Sequence, residues 1–324
     1  MKIKSPAVLA VIPIILVCLR CSEATGDVSV LSKIPFPKDN PLTDEKIAFG
    51  KQLFFDKRLS QNNSISCASC HQPDKAFTDG LPKSIGVDGR VAMRNAPSLL
   101  NSAYSSAYMY DAEIKTLELQ ALVPIQDHLE MASSMKEVLE KLRKDPHYRK
   151  LAKSVFSREL DAFVITRALS AYERSLISRN SRFDQYRAGK KGVLSKDEVA
   201  GWKLFSEKLG CTKCHSGPDF TNYKAMSNGL YTDYGADEGR YRINGLEEER
   251  GTFKVPGLRN VSLTAPYMHD GSIQTLREVI IHYSKGGKPF PNKSKLIKPF
   301  VLTDLETSQL ESFLRTLVDT SGVN

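Results

Sequence analysis

The residues with the clearest chemistry are Cys67-Ala-Ser-Cys70-His71 and Cys211-Thr-Lys-Cys214-His215. Two thiols three positions apart, followed at once by histidine, form the attachment signal for c-type haem. The thiols bond the two vinyl groups of the macrocycle, and the adjacent imidazole is then held where it meets the iron. A four-cysteine zinc site would use both pairs but leave both histidines unexplained. A redox dithiol needs a βαβ context that the flanking sequence lacks, and structural disulfides are the plain alternative for an exported chain. The motif occurs twice, and the other two of the six cysteines, Cys18 and Cys21, lie in the leader. Two covalently bound haem c groups account for all four remaining thiols and both histidines.

The chain opens Met1-Lys2-Ile3-Lys4, followed by an apolar run from Pro6 to Leu19. This is the layout of a secretory signal, read over residues 1–21. At about 14 residues the run is too short for a membrane span, which needs roughly 20. Two endings remain open: lipidation at Cys21, for which Arg20 is a poor fit, or cleavage near Ala24. The working compartment is the periplasm in either case, with a lipid anchor to a membrane in the first. The formal charge of +9 is spread among acids along the chain rather than gathered in blocks, so nucleic acid is not an expected partner. Haem propionates would offset part of that charge, and steering of an acidic patch on a donor protein remains compatible with it.

Each motif must be held by a scaffold, and the scaffold repeats. Gly50-Lys-Gln-Leu53-Phe54 precedes the first motif and Gly201-Trp-Lys-Leu204-Phe205 the second, which suggests an internal duplication. Thr43 before Asp44 and Glu45, and the capping box Ser195-Lys-Asp-Glu198, predict a helix start ahead of each phrase. Ser134 and Thr303 open two more helices. Apolar residues at three- and four-residue steps predict the longest helix over 160–177, and no comparable strand alternation appears. The expected fold is mainly α, with two cytochrome c-like helical domains carrying one covalent haem each. The first covers 28–188, with the C-terminal helix of 303–324 packing on it, and the second covers 189–302. The glycine-bearing stretch 179–195 reads as the linker, and the loop 220–250 as a haem wrap.

The residues together resemble the bacterial di-haem cytochrome c peroxidases and their MauG-type relatives over nearly the whole mature chain. The likeness rests on Ser66 to His71, Arg94-Asn95-Ala-Pro-Ser-Leu-Leu-Asn101, Leu117 to Pro124, Val255 to Asn260, and Thr264-Ala-Pro-Tyr-Met-His-Asp-Gly271. It implies that the first haem is peroxidatic, that the second takes electrons from a donor, and that a calcium ion lies between domains. By position it assigns Gln120 and Glu130 to the open face of the first haem, with Pro124 shaping the pocket. Peroxide cleavage needs a proton moved from the near oxygen to the leaving one, a task suited to a carboxylate. Without the resemblance, Glu130 would read as a solvated charge. Asn95, Thr264 and Pro266 match the calcium contacts, the last two through carbonyls, in keeping with calcium's preference for oxygen; a plain turn role for Asn95 competes.

Three departures from the family pattern matter. The loop histidine that usually closes the first haem is Val87, and His128 is the nearest substitute, with a solvated histidine as the rival reading. The usual axial methionine of the second haem falls on Tyr283, as in the MauG type, with His282 the nearest alternative and His269 a support for the haem or calcium loop. An anionic phenolate favours ferric iron, whereas methionine sulfur raises the potential. The tryptophan that usually bridges the haems is Tyr110, still able to relay charge, and the surface tryptophan before the second motif in MauG is Leu209, the sole tryptophan being Trp202.

The sequence therefore reads as a peroxidase that reduces hydrogen peroxide with electrons from a small redox protein such as a cytochrome c. The alternatives are MauG-like oxidation of residues on a partner protein and a non-catalytic electron carrier. The oligomeric state, a homodimer included, stays open.

Overall fold

Helices begin where the sequence offers a side chain to cap them. The computed structural model describes residues 34–319 and 321; the leader, with Cys21 and Ala24, lies outside them. Seven helices of eight or more residues are present among the described residues: α1 (Asp44–Phe54), α2 (Met135–Leu142), α3 (Pro146–Phe156), α4 (Ala162–Ser175), α5 (Lys196–Lys203), α6 (Leu276–Ser284) and α7 (Asp304–Arg315). Thr43 caps α1 by accepting from the Lys46 amide at 3.3 Å. Ser134, Ser195, Thr275 and Thr303 close reciprocal capping boxes with Glu137, Glu198, Glu278 and Glu306, each satisfying amides that the first helical turn leaves free. Asp161 caps α4, which trims the span expected from periodicity. The fold is mainly helical, with one small antiparallel pair, β1 (Ala225–Met226) and β2 (Phe253–Lys254), in which Ala225 faces Lys254.

Two hydrophobic cores form. One gathers Phe49, Leu53, Phe54, Leu142, Leu160 and Ile165, with Cys67 packed against it. The other gathers Phe183, Phe205, Phe220, Ile280, Leu310 and Phe313, with Trp202 and Cys211 against it. The repeated phrase does the same job in each. A methyl group on Gly50 would lie 1.9 Å from the Ala168 carbonyl oxygen and 2.8 Å from Tyr172 Cβ; on Gly201 it would lie 1.9 Å from the Gln309 carbonyl and 2.8 Å from Phe313 Cβ. So α1 crosses α4, and α5 crosses α7, at backbone contact distance, which only glycine permits. The Leu-Phe pair that follows each glycine is then buried, with Leu53 and Phe54 in the first core and Phe205 in the second.

Two expectations about the boundaries need correction. The C-terminal helix α7 packs on α5 in the second core, not on the first module, because Gly201 receives its carbonyl and Leu310, Phe313 and Leu314 have their apolar partners there. The stretch 179–195 is not a bare linker: Ser181 caps a helix over Arg182–Arg187, and Phe183 from that helix is fully buried in the second core.

A charge cluster around the fully buried Asp111 ties the segment 94–111 to 237–254. Asp111, fully buried, lies 2.8 Å from the Arg94 guanidinium and 2.5 Å from that of Arg242. Arg94 also grips Asp237 at 2.5 and 2.7 Å, and the Lys254 amide donates to the Tyr110 carbonyl at 2.6 Å.

Candidate active site

Both motif histidines are oriented by the same device. Ser66 and Ser69 cap the single helical turn Cys67–Cys70, and the His71 amide donates to the Cys67 carbonyl at 2.9 Å. The ring is then fixed by Nδ1, 3.0 Å from the Phe77 carbonyl. His215 repeats this, its amide 2.9 Å from the Cys211 carbonyl and its Nδ1 3.0 Å from the Phe220 carbonyl. Phe77 and Phe220 both have positive φ, 59° and 54°, which turns each carbonyl back towards its ring. A proton held on Nδ1 leaves the Nε2 lone pair for a metal, and burial holds both imidazoles below their ordinary pKa, hence neutral. All four motif thiols are unpaired, and no cluster of three or more His, Cys, Asp or Glu side chains forms among the described residues. Two Cys-x-x-Cys-His units, each with an oriented imidazole, form a donor set that fits two c-type haems.

The side chains expected on the open face of the first centre come from one folded segment. Glu118 is clamped by Arg174 at 2.5 and 2.9 Å, by Asn40 at 3.1 Å and by Ser170 at 3.0 Å. The Arg174 guanidinium and these donors outweigh burial and hold its carboxyl down at about 2. This fixes the turn Leu117–Gln120, which presents Gln120; its Oε1 is buried and has no hydrogen-bond partner. Downstream, the Met131 amide bonds the Pro124 carbonyl at 3.1 Å and the Leu129 amide bonds Asp127 Oδ1 at 2.8 Å. That loop presents Glu130, whose carboxyl is pushed up to about 7 by burial first and by the Asp127 charge second. Both first-motif thiols are raised chiefly by burial, and the Glu130 charge adds a smaller effect at each, so it lies within electrostatic reach of both.

Val87 is fully buried, its amide donating to the Glu130 carbonyl at 2.9 Å. Gly86 lies so close that a methyl there would sit 2.0 Å from the Leu129 carbonyl. The loop is therefore packed onto the Glu130 segment through an apolar side chain that offers no iron ligand. His128 points to solvent, with 82 % of its side chain exposed.

At the second centre Tyr283 is half-buried near the end of α6, its phenol raised by burial and by the neighbouring Cys214 and Cys211. Asn228 contacts it, while His282 Nε2 is 3.2 Å from the Asn228 carbonyl and so is engaged elsewhere. Two methionines escaped the sequence reading: Met226 Sδ lies 3.6 Å from Cys214 Sγ, and Met268 Sδ accepts from Asn228 Nδ2 at 3.3 Å. Nothing in their spacing singles them out, since both arrive from distant loops. Trp202 packs among Phe183, Phe205 and Phe313 with centroids 4.8–6.0 Å away, and Leu209 packs against the same core.

Between the cores, the Asn95 amide bonds the His269 carbonyl at 2.9 Å, and Asn95 Nδ2 donates to the Leu81 carbonyl at 2.7 Å. Its Oδ1 has only a long 3.5 Å contact with the Tyr110 hydroxyl. Among the described residues the Thr264 and Pro266 carbonyls accept no hydrogen bond. These uncommitted oxygens suit a hard cation. His269 stacks on Phe253 at 3.8 Å and lies 3.8 Å from Asp237, so it supports this loop.

Residues 44–192 match the family model of the di-haem cytochrome c peroxidases. The methylamine utilization protein MauG of Methylorubrum extorquens is 38 % identical over 286 residues, covering 88 % of this chain and 81 % of that protein. The cytochrome c551 peroxidase of Nitrosomonas europaea is 38 % identical over 251 residues, 76 % of this chain and 75 % of its own. A crystal structure of a MauG-like protein associated with microbial copper homeostasis superposes with a TM-score of 0.84 at 36 % identity, covering 89 % of this chain and 93 % of that one. The chain belongs to the di-haem cytochrome c peroxidase family of oxidoreductases, in which MauG proteins are also found. No helix among the described residues is long and apolar enough to cross a membrane.

Proposed function

We propose that the protein is a periplasmic di-haem peroxidase that reduces hydrogen peroxide to two waters, with two protons and two electrons drawn from a small redox protein. Each core would be a cytochrome c-like domain holding one covalent haem, the first by Cys67, Cys70 and His71, the second by Cys211, Cys214, His215 and Tyr283. When bound, the haems supply two iron centres able to exchange electrons. The observation that carries the reading is that Glu130, a half-buried residue whose carboxyl is pushed up to about 7, lies within electrostatic reach of Cys67 and Cys70, while the buried Gln120 Oε1 has no hydrogen-bond partner. Glu130 takes the proton of the incoming peroxide and returns it to the departing oxygen, while Gln120 orients the substrate. Tyr110, whose carbonyl accepts from the Lys254 amide, would relay charge from one module to the other. Asn95, Thr264 and Pro266 hold a calcium ion through uncommitted oxygens. A pure electron carrier would have no use for the Glu130 and Gln120 arrangement.

The test is to mix the fully oxidised holoprotein with stoichiometric peroxide. A rapid spectral change is expected without prior reduction, because Val87 offers no imidazole to close the first centre. A low-spin first haem that ignores peroxide until reduced would overturn this, and His128→Ala would then be the next variant.

Tyr283 favours a second reading, MauG-like oxidation of a partner protein; the packed Trp202 and Leu209 provide no surface tryptophan for it. Intact-mass analysis of candidate partners after peroxide treatment distinguishes the two. In either case Tyr283→Met should raise the reduction potential of the second haem, since a neutral thioether replaces an anionic oxygen. An unchanged potential and spectrum would remove Tyr283 from the ligand set and bring Met226 and Met268 forward.

A further inference from the structure

Between Glu278 and Asp304 the chain carries five lysines, Lys285, Lys288, Lys293, Lys295 and Lys298, and no carboxylate. Four of them are exposed, and Lys293 is turned inward to the Gly286 carbonyl at 2.8 Å. The acids that flank it in sequence are already engaged: Asp304 with Arg277 at 3.0 Å, Glu306 with Lys208 and its cap, and Glu278 with its cap at Thr275. None of the five lysines forms an ion pair among the described residues, although the acidic run Glu247–Glu249 adjoins Asn292 at one end of the segment and Lys288 lies over the Tyr231 ring at 5.1 Å.

Beside it lies exposed apolar surface. Val301 is 88 % exposed, Leu305 63 % and Ile281 40 %. The Phe300 amide bonds the Ser284 carbonyl at 2.9 Å, and a methyl on Gly286 would lie 2.9 Å from Pro299 N. Residues 298–302 are thus laid along the end of α6, with Gly286 against the backbone of Lys298 and Pro299. A shallow depression of about 180 Å³ separates Ile281 and Ser284 from Leu302 and Thr307.

We propose that this face, formed by α6, residues 285–302 and the start of α7, docks a small acidic electron-carrier protein, an inference that rests on the peroxidase reading. An apolar centre with a rim of one charge suits a transient encounter, in which charge sets orientation and on-rate more than affinity. A second copy of this chain would set lysines against lysines. Ile281 and Tyr283 are two residues apart on α6, and a bound donor would sit roughly one helix diameter, ~10 Å, from the second centre.

The experiment uses the di-haem holoprotein with two probes, an acidic bacterial cytochrome c and the basic mitochondrial one. Combining Lys285→Glu, Lys295→Glu and Lys298→Glu should cut kcat/KM for the acidic cytochrome about 10-fold or more at low ionic strength. The deficit should shrink as salt rises, and turnover with a small uncharged reductant should be unchanged. Val301→Ser with Leu305→Ser should raise KM for the acidic probe with kcat retained. An unchanged kcat/KM in both variants overturns the proposal, as does an equal loss with the uncharged reductant. So does a charge-reversal effect confined to binding of anionic lipid vesicles. If the holoprotein does not consume peroxide, the peroxidase reading fails by itself; loss of acidic-cytochrome binding in the triple variant, followed by titration, then still supports the docking face.

Discussion

Changing Cys211 and Cys214 together to alanine is expected to leave a protein with one covalent haem that still responds to peroxide but no longer draws electrons from a protein donor. The two modules have separate cores. Cys211 lies against the core of Phe183, Phe205 and Phe313, whereas Cys67 lies against that of Phe49, Phe54 and Ile165. Loss of one attachment should therefore spare the fold around the other. His71 is oriented by the Phe77 carbonyl within its own module and does not depend on the second motif. Intact mass and haem content would read the stoichiometry, stopped-flow absorbance the peroxide response, and steady-state oxidation of a reduced cytochrome the donor pathway. The reciprocal change at Cys67 and Cys70 should abolish the peroxide response while leaving a haem that donors can reduce. Two haems retained in either variant, or donor turnover surviving the loss of Cys211 and Cys214, would refute the division of labour.

What the sequence made legible was local. A Cys-x-x-Cys-His run is contiguous, and so is a capping box; Ser195 with Glu198 and Thr303 with Glu306 form as their spacing predicts. The glycine phrase was visible as a repeat, though not its cause, because Ala168 and Gln309, whose carbonyls approach Gly50 and Gly201, are more than a hundred residues away. The same limit explains the misplaced C-terminal helix: its amphipathic pattern shows that one face is apolar, not which core receives it. The Arg174 clamp on Glu118, the Phe77 and Phe220 carbonyls behind the histidines, and Met226 beside Cys214 all depend on contacts made by folding. Gln120 and Glu130 were named from family position, and their surroundings add what position could not: a firmly held turn for one and a raised carboxyl for the other.

That raised carboxyl makes the strongest kinetic expectation. Glu130 must be ionised to accept the proton of incoming peroxide, and burial with the Asp127 charge pushes its pKa up to about 7. Below that pH most molecules hold the proton and cannot act as base; above it most can. The bimolecular rate with peroxide should therefore rise with pH through about 7 and then level. Glu130→Gln keeps the shape but has no ionisable group, so the rate should fall by roughly 10²-fold or more and lose this inflection. Electron uptake at the second haem should be unaffected, which separates a chemical loss from a damaged fold. Asp127→Asn gives an independent check on the cause. With one of the two effects that raise Glu130 removed, the inflection should move to lower pH while the plateau rate is kept. A rate that still climbs through pH 7 in Glu130→Gln would assign the titrating base to another group, and an inflection unmoved in Asp127→Asn would leave burial alone as its cause.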